Sequence, residues 1–283
     1  MLPNHLAPFA RRAPPENAMS RSNCRFHVAA LAIAMLFVAA QPARVAAEDF
    51  RIETRIFVGD EEEPQSTTTT LFQGGVVYDF LAKPEQIAVF RKPGGGKPGR
   101  FILLDPERRV RTELSTDQLA GAMNKLRNWA ARQRDPFLKF AANPQFEESF
   151  DRDTGQLLLA SHEESYTIKT EPADAPDALA EYREFLDWYA RLNTLLQAGP
   201  PPEPRLQVNA ALARYQIVPV TVELARAGEK EKLRAEHEFT WLLSKQDLAR
   251  IDDACASLAA YRPVGNEEFL QGIKPPANAV EEK

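Results

Sequence analysis

The residues with the most chemical potential are two histidines. Only His162 and His237 lie beyond the N-terminal leader described below, and each precedes a Glu, in the runs HEE and HEF. Neither shows the i, i+4 pairing of H-E-x-x-H, and both fall on expected strands. A third carboxylate or imidazole would have to join them by folding before they could hold zinc. His237 stands out because it alternates with Leu233, Ala235, Phe239 and Trp241 on the apolar face of an expected strand. Glu148 is placed in the same way between Phe146 and Phe150. An imidazole or carboxylate on an apolar face is costly unless it is paired or lines a wet cavity. His237, Glu148, Phe239 and Trp241 are therefore the candidate ligand-binding residues. The other reading is a mild bulge or sheet rim that exposes the two polar groups.

Other motifs point away from catalysis. Gly94, Gly96 and Gly99 match G-x-G-x-x-G, but Pro98 and the strand RFILLD follow where a phosphate-binding helix should open. Gly96-Lys97 lacks the Ser or Thr of a P-loop, and no G-x-S-x-G is present. Ser115 and Ser244 read as helix caps. Trp129, Trp188, Tyr189 and Trp241 fall at core spacing, which favours packing over a sugar platform. The triplet Glu61, Glu62, Glu63 reads as a solvated hairpin tip. No catalytic residue, metal set or cofactor is assigned.

The elements that would carry these residues begin after an export signal. Arg21 and Arg25 precede an unbroken apolar run, Val28 to Ala40, and Val45 and Ala47 stand before the expected cut. Residues 1–47 read as a cleavable signal peptide, with Met19 as an alternative start. A bilayer-spanning helix needs ~20 apolar residues. The expected location is periplasmic or secreted. The leader carries five Arg and one Glu, so the mature chain keeps 30 basic and 39 acidic residues, a net charge of −9. That balance opposes unassisted binding to anionic lipid or nucleic acid. Cys255 is then the sole cysteine, and its spacing with Ile251, Ala254 and Leu258 predicts a small buried hydrophobe.

From Asp49 the chain has period two, with Phe50, Ile52, Thr54, Ile56 and Val58 on one face. Five more short strands follow: STTTTLFQ, VVYDFLA, QIAVFRK, RFILLD and RRVRTEL, with Gly74-Gly75 as a hairpin turn. Ser115 and Gln118 form a capping box before an amphipathic helix. The short apolar piece FLKFAA leads to three further strands, QFEESFD, QLLLAS and SYTIKT. A helix is expected over 177–198, stopped by Gly199 and four prolines up to Pro204. A short helix over 206–215, a hairpin, a helix opened by Ser244 and a loose tail from Gly265 complete the chain. The fold class is α+β: one large curved antiparallel sheet of about eleven strands, half-barrel-like, with helices on one side. It forms one domain, 48–264, with residues 199–204 as a proline-rich linker.

This order of elements resembles the periplasmic lipoprotein carriers and outer-membrane lipoprotein receptors. The stretches that carry the likeness are DFRIETRIF, VVYDFLA, QIAVFRK, RFILLDPERRVRTEL, the helix opening at Ser115 and the later hairpins. The resemblance is architectural and transfers no functional residue. It implies a half-barrel whose concave face is covered by helices and accepts acyl chains. The chain departs from that pattern in lacking a helix before the first strand and in adding the 177–198 helix and its prolines. It equally resembles uncharacterised exported bacterial proteins. The leading expectation is an exported non-enzymatic protein that binds a lipid or other apolar ligand between sheet and helices. A second is a structural or partner-binding envelope protein that uses an exposed face or the Thr-rich strand Ser66 to Gln73. A third is a metal-dependent hydrolase using His162, His237 and Glu148.

Overall fold

The computed structural model of the chain describes residues 49–173 and 175–272. The leader, its cleavage near Ala47 and the last part of the expected tail lie outside those residues. The fold is α+β, built on one open, mostly antiparallel sheet of twelve strands. Strands β1 (Phe50–Val58), β2 (Ser66–Gln73), β3 (Val76–Leu81), β4 (Gln86–Arg91), β5 (Arg100–Asp105) and β6 (Val110–Ser115) form the first meander. Strands β7 (Glu147–Asp151), β8 (Gln156–Ala160), β9 (Glu164–Pro172), β10 (Ile217–Arg226) and β11 (Leu233–Thr240) form the second. The two meanders are sewn together where β1 pairs antiparallel with β11, with Ile52 opposite Phe239, Thr54 opposite His237 and Ile56 opposite Ala235. A two-residue β12 (Arg262–Pro263) runs parallel to β6 at one edge, and β7 forms the other. The eleven expected strands are all present, and β12 is the addition.

The helices are α1 (Thr116–Ala130), α2 (Pro136–Ala142), α3 (Pro176–Leu196), α4 (Glu203–Tyr215), α5 (Lys245–Ala260) and α6 (Asn266–Gln271). The expected capping box at Ser115 and the expected cap at Ser244 both form, the second also as a capping box. Ser115 accepts from the Gln118 backbone at the start of α1, and Ser244 accepts from the Asp247 backbone at the start of α5. Gly74 and Gly75 take positive φ values of 57° and 80°. That backbone is the twist-compatible two-residue turn between β2 and β3, which side chains with a Cβ disfavour. The proline run turns α3 into α4 within one domain, and Glu203 and Pro204 already belong to α4.

Period two sorts the side chains of the first meander onto two buried faces. Phe50, Phe72, Val77, Phe90, Phe101 and Leu103 face one way and pack beneath α3, through Tyr182, Phe185 and Leu192. Leu71, Tyr78, Phe80, Val89, Ile102 and Leu104 face the other way and are covered by Ile251 and Ala254 of α5. This explains why RFILLD is apolar throughout. It also adds to the expected one-sided arrangement, since α5 lies on the opposite face from α3. The strand QLLLA differs: Leu157 and Leu159 are buried under α4, while Leu158 is open to solvent.

Two expectations are corrected. The chain does not loosen at Gly265, because α6 drives Phe269 to zero exposure in the main core. The Arg108 guanidinium holds it there, donating to the Phe269 carbonyl at 2.8 Å and stacking 5.4 Å from its ring centre. Cys255 is exposed rather than buried, because it falls between the inward Ile251 and Ala254 and the solvent side of α5. Its Sγ lies 3.6 Å from the Tyr78 hydroxyl. An exposed thiol reacts without unfolding. We expect Cys255 to take up one maleimide in the folded protein, read by peptide mass mapping; protection equal to that of a buried thiol would contradict its placement.

Candidate functional site

The helical layer lies over a largely apolar face of the sheet that carries a polar seam. From β11 to β3 this seam comprises His237, Thr54, Thr70 and Asp79. His237 is placed as its alternation predicts, between Ala235 and Phe239 on the covered face. Its Nδ1 is 2.9 Å from Thr54 Oγ1 across the β1–β11 pair. Its Nε2 is buried and has no hydrogen-bond partner among the described residues. Burial, followed by the nearby Arg205 guanidinium, pushes the imidazole down to about 3. His237 is therefore neutral, and its site offers no acceptor for a second proton.

Phe239 and Trp241 take part in the aromatic core. Their rings stack 5.7 Å apart, with Phe239 edge-on to Tyr182 at 5.4 Å and Trp241 5.4 Å from Phe50. Glu148 does not join His237. It is exposed on edge strand β7, where Arg214 of α4 donates to Oε1 at 2.6 Å, and Phe146 and Phe150 on either side pack inward. Four strand spacings separate β7 from β11, about 19 Å along the sheet. His162 is in the exposed β8–β9 turn, its side chain 90% open. The three groups proposed for a hydrolase are thus scattered, and among the described residues no cluster of three or more His, Cys, Asp or Glu is arranged to hold a metal. The Thr-rich strand offers no free edge, since β2 is paired on both sides, by β1 and β3, and its residues Thr69 to Phe72 are buried.

Sequence reasoning missed Asp79. Its period places it with Val77 on the covered face of β3, the same signal that singled out His237. Thr70 Oγ1 donates to one carboxylate oxygen at 2.6 Å and Tyr189 of α3 donates to the other at 2.6 Å. Burial pushes this carboxyl up to about 6, against the pull of both hydroxyls.

An open concavity lies elsewhere, on the outer side of α3. Arg183, Glu184, Asp187, Trp188 and Arg191 line a groove of about 550 Å³ with Leu179, Ala180 and, at the end of α4, Ala213 and Gln216. Their spacing of three, four and eight residues puts them on one helix stripe. Asp187 organises the groove. Asn209 of α4 donates to its Oδ1 at 2.9 Å, and Arg183 stands 3.9 Å from Oδ2. The Arg191 guanidinium lies 4.8 Å over the Trp188 ring, a cation–π geometry. Partial burial lowers Arg191, while the Asp187 and Glu203 carboxylates oppose that shift. A second pocket, between α3 and α4, holds about 10 Å³, room for about one water. No protein-family model and no curated protein matches the chain. Among the described residues no helix is long and apolar enough to cross a membrane.

Proposed function

We propose that the chain is an exported, non-catalytic binding protein for an amphiphilic small molecule, held in the groove along α3. The observation that carries this reading is the groove itself. Its volume of about 550 Å³ lies within the range of small-molecule sites, and it combines an indole and aliphatic wall with two guanidinia and two carboxylates. The apolar body would lie on Trp188, Leu179 and Ala213, with its polar end among Arg183, Asp187 and Arg191. Export rests on the leader pattern of residues 21–47. The likeness to half-barrel carriers agrees with a binding role and supplies no residue.

The ligand position differs from the one expected between sheet and helices. That interface is occupied by packed aromatics: Phe50 stacked on Phe72 at 4.0 Å, and Phe72, Phe90 and Phe101 edge-on or tilted around Phe185 within 6.4 Å. An acyl chain needs a cavity of ~300 Å³ or more. Native mass spectrometry of protein purified from its own envelope tests the proposal. We expect a bound small molecule that is lost at least tenfold more readily from Ala180→Trp, which fills the groove from an exposed position, and from Trp188→Ala. Unchanged retention by both variants would refute the groove. A stoichiometric protein in place of a small molecule would favour the partner-binding role instead.

A further inference from the structure

Asp79 is only 3% exposed. It lies opposite Thr70 and Ala88 on the neighbouring strands and beneath Tyr189, whose ring centre is 5.0 Å from that of Phe185 and 6.5 Å from that of Phe101. It is tied to two different elements. Thr70 reaches it from the neighbouring strand at 2.6 Å, and Tyr189 reaches it from α3, also at 2.6 Å. Among the described residues no cation acts on its carboxyl; burial and the two hydroxyls are the influences on it. A carboxylate without a counter-charge is costly in such a place, and a neutral carboxyl is not. The other inward residues of α3, Tyr182, Phe185 and Leu192, hold the helix by apolar packing.

We propose that Asp79 is a pH-dependent latch: α3 is held to the sheet most firmly when this carboxyl is neutral, and ionisation loosens the helix. The inference goes beyond the groove reading and stands without it. It bears on the groove because Arg183, Asp187, Trp188 and Arg191 ride on the outer side of the same helix.

The sign follows from burial without a counter-charge, which outweighs the pull of the two hydroxyls. Burial raises the carboxyl from 3.8 to about 6 in the docked state. The advantage of docking is complete below the ordinary value and is lost as pH climbs through about 6. Other groups beneath or on α3 act differently. His237 on β11 is pushed down to about 3, so its charging favours opening in acid, the opposite sense. Tyr182 is pushed up to about 12 and Tyr189 well above its ordinary value, so neither titrates in the relevant range. Arg205 of α4 acts on His237 and Tyr182 rather than on Asp79. Glu181 is paired outward with Lys92. Arg183, Glu184, Asp187 and Arg191 line the outer groove.

Hydrogen exchange on the full chain at pH 5 and pH 8, corrected for intrinsic rates, reads the opening of α3 directly. Dividing the wild-type opening constant by that of Asp79→Asn cancels the His237 contribution, which both share. We expect this quotient to rise about tenfold from pH 5 to pH 8 in peptides spanning 179–192. A quotient that stays within twofold overturns the latch. Should Asp79→Asn fail to fold, His237→Gln serves, because it keeps the Asp79 carboxyl and removes the group whose titration opposes it. Its own α3 opening constant should then rise about tenfold from pH 5 to pH 8, and a constant that stays within twofold would refute the proposal.

Discussion

His237→Gln is expected to remove the steepest acid-linked loss of stability in the protein. In the folded state the imidazole titrates near 3, against an ordinary 6.5, because burial and Arg205 disfavour its charged form. A base whose folded value is depressed binds fewer protons folded than unfolded. Its contribution is therefore complete above 6.5 and drains away as pH falls toward 3. A shift of that size is worth about 5 kcal/mol at most, a large share of a typical folding stability. Geometry agrees with the direction: Nδ1 is already engaged by Thr54, and Nε2 has no acceptor to receive a new proton's hydrogen bond. Glutamine is similar in reach, does not titrate, and can still engage Thr54. Urea unfolding of both proteins from pH 7 to pH 3 is the measurement. The stability difference between them should swing by several kcal/mol toward the variant as the solution is acidified. A difference that stays flat over that window would remove the physical basis for the seam's acid sensitivity.

The second large effect should come from Arg226. Its Nε donates to Glu164 Oε2 at 2.7 Å, and the Glu164 side chain is only 1% exposed against 27% for the arginine. The other Glu164 oxygen is buried without a partner among the described residues. The guanidinium also lies 5.4 Å from the Phe137 ring centre, which ties α2 to the β9–β10 pair. Arg226→Ala would leave a buried carboxylate uncompensated, at a cost of about 3–5 kcal/mol. Glu164→Gln should cost less, because the half-exposed arginine can turn to water and to Glu229, 3.7 Å away. Replacing both by apolar residues of similar volume should recover most of the loss. Chemical denaturation of the two single variants and the double variant separates these cases. A cost below about 1 kcal/mol for Arg226→Ala would mean that the carboxylate is not held as the structure has it.

The strands were legible in the residues because a half-buried strand exposes its period. Phe50, Ile52 and Thr54 alternate with Arg51, Glu53 and Arg55, and all eleven expected strands form. The helix starts at Ser115 and Ser244 were equally legible, since a capping box is a local device of four residues. His237 could be placed on the covered face by the same alternation. The identical signal at Asp79, between Val77 and Leu81, passed unread because a lone Asp in an apolar strand also fits an outward position.

Other features depended on which elements meet. Glu148 alternates with two phenylalanines just as His237 alternates with its neighbours, yet it ends exposed and paired with Arg214. Period two assigns a face but not a place in the sheet, and β7 is the last strand of its edge. Cys255, expected buried, is likewise exposed, whereas the 265–272 segment, expected loose, is anchored, both for the same reason. A one-residue rotation on α5 exposes the thiol, and Arg108, distant in the chain, supplies the carbonyl contacts that fix α6. The groove arises only where the outer stripe of α3 meets the end of α4.

Local order therefore came from the residues themselves: strand period, helix caps and turn glycines act over two to four positions and need no distant partner. Burial, charge pairing and the open groove came from the assembled chain. Each depends on residues tens to more than a hundred positions apart, and the energy of an ionisable group is set by what surrounds it in space rather than by its neighbours in sequence.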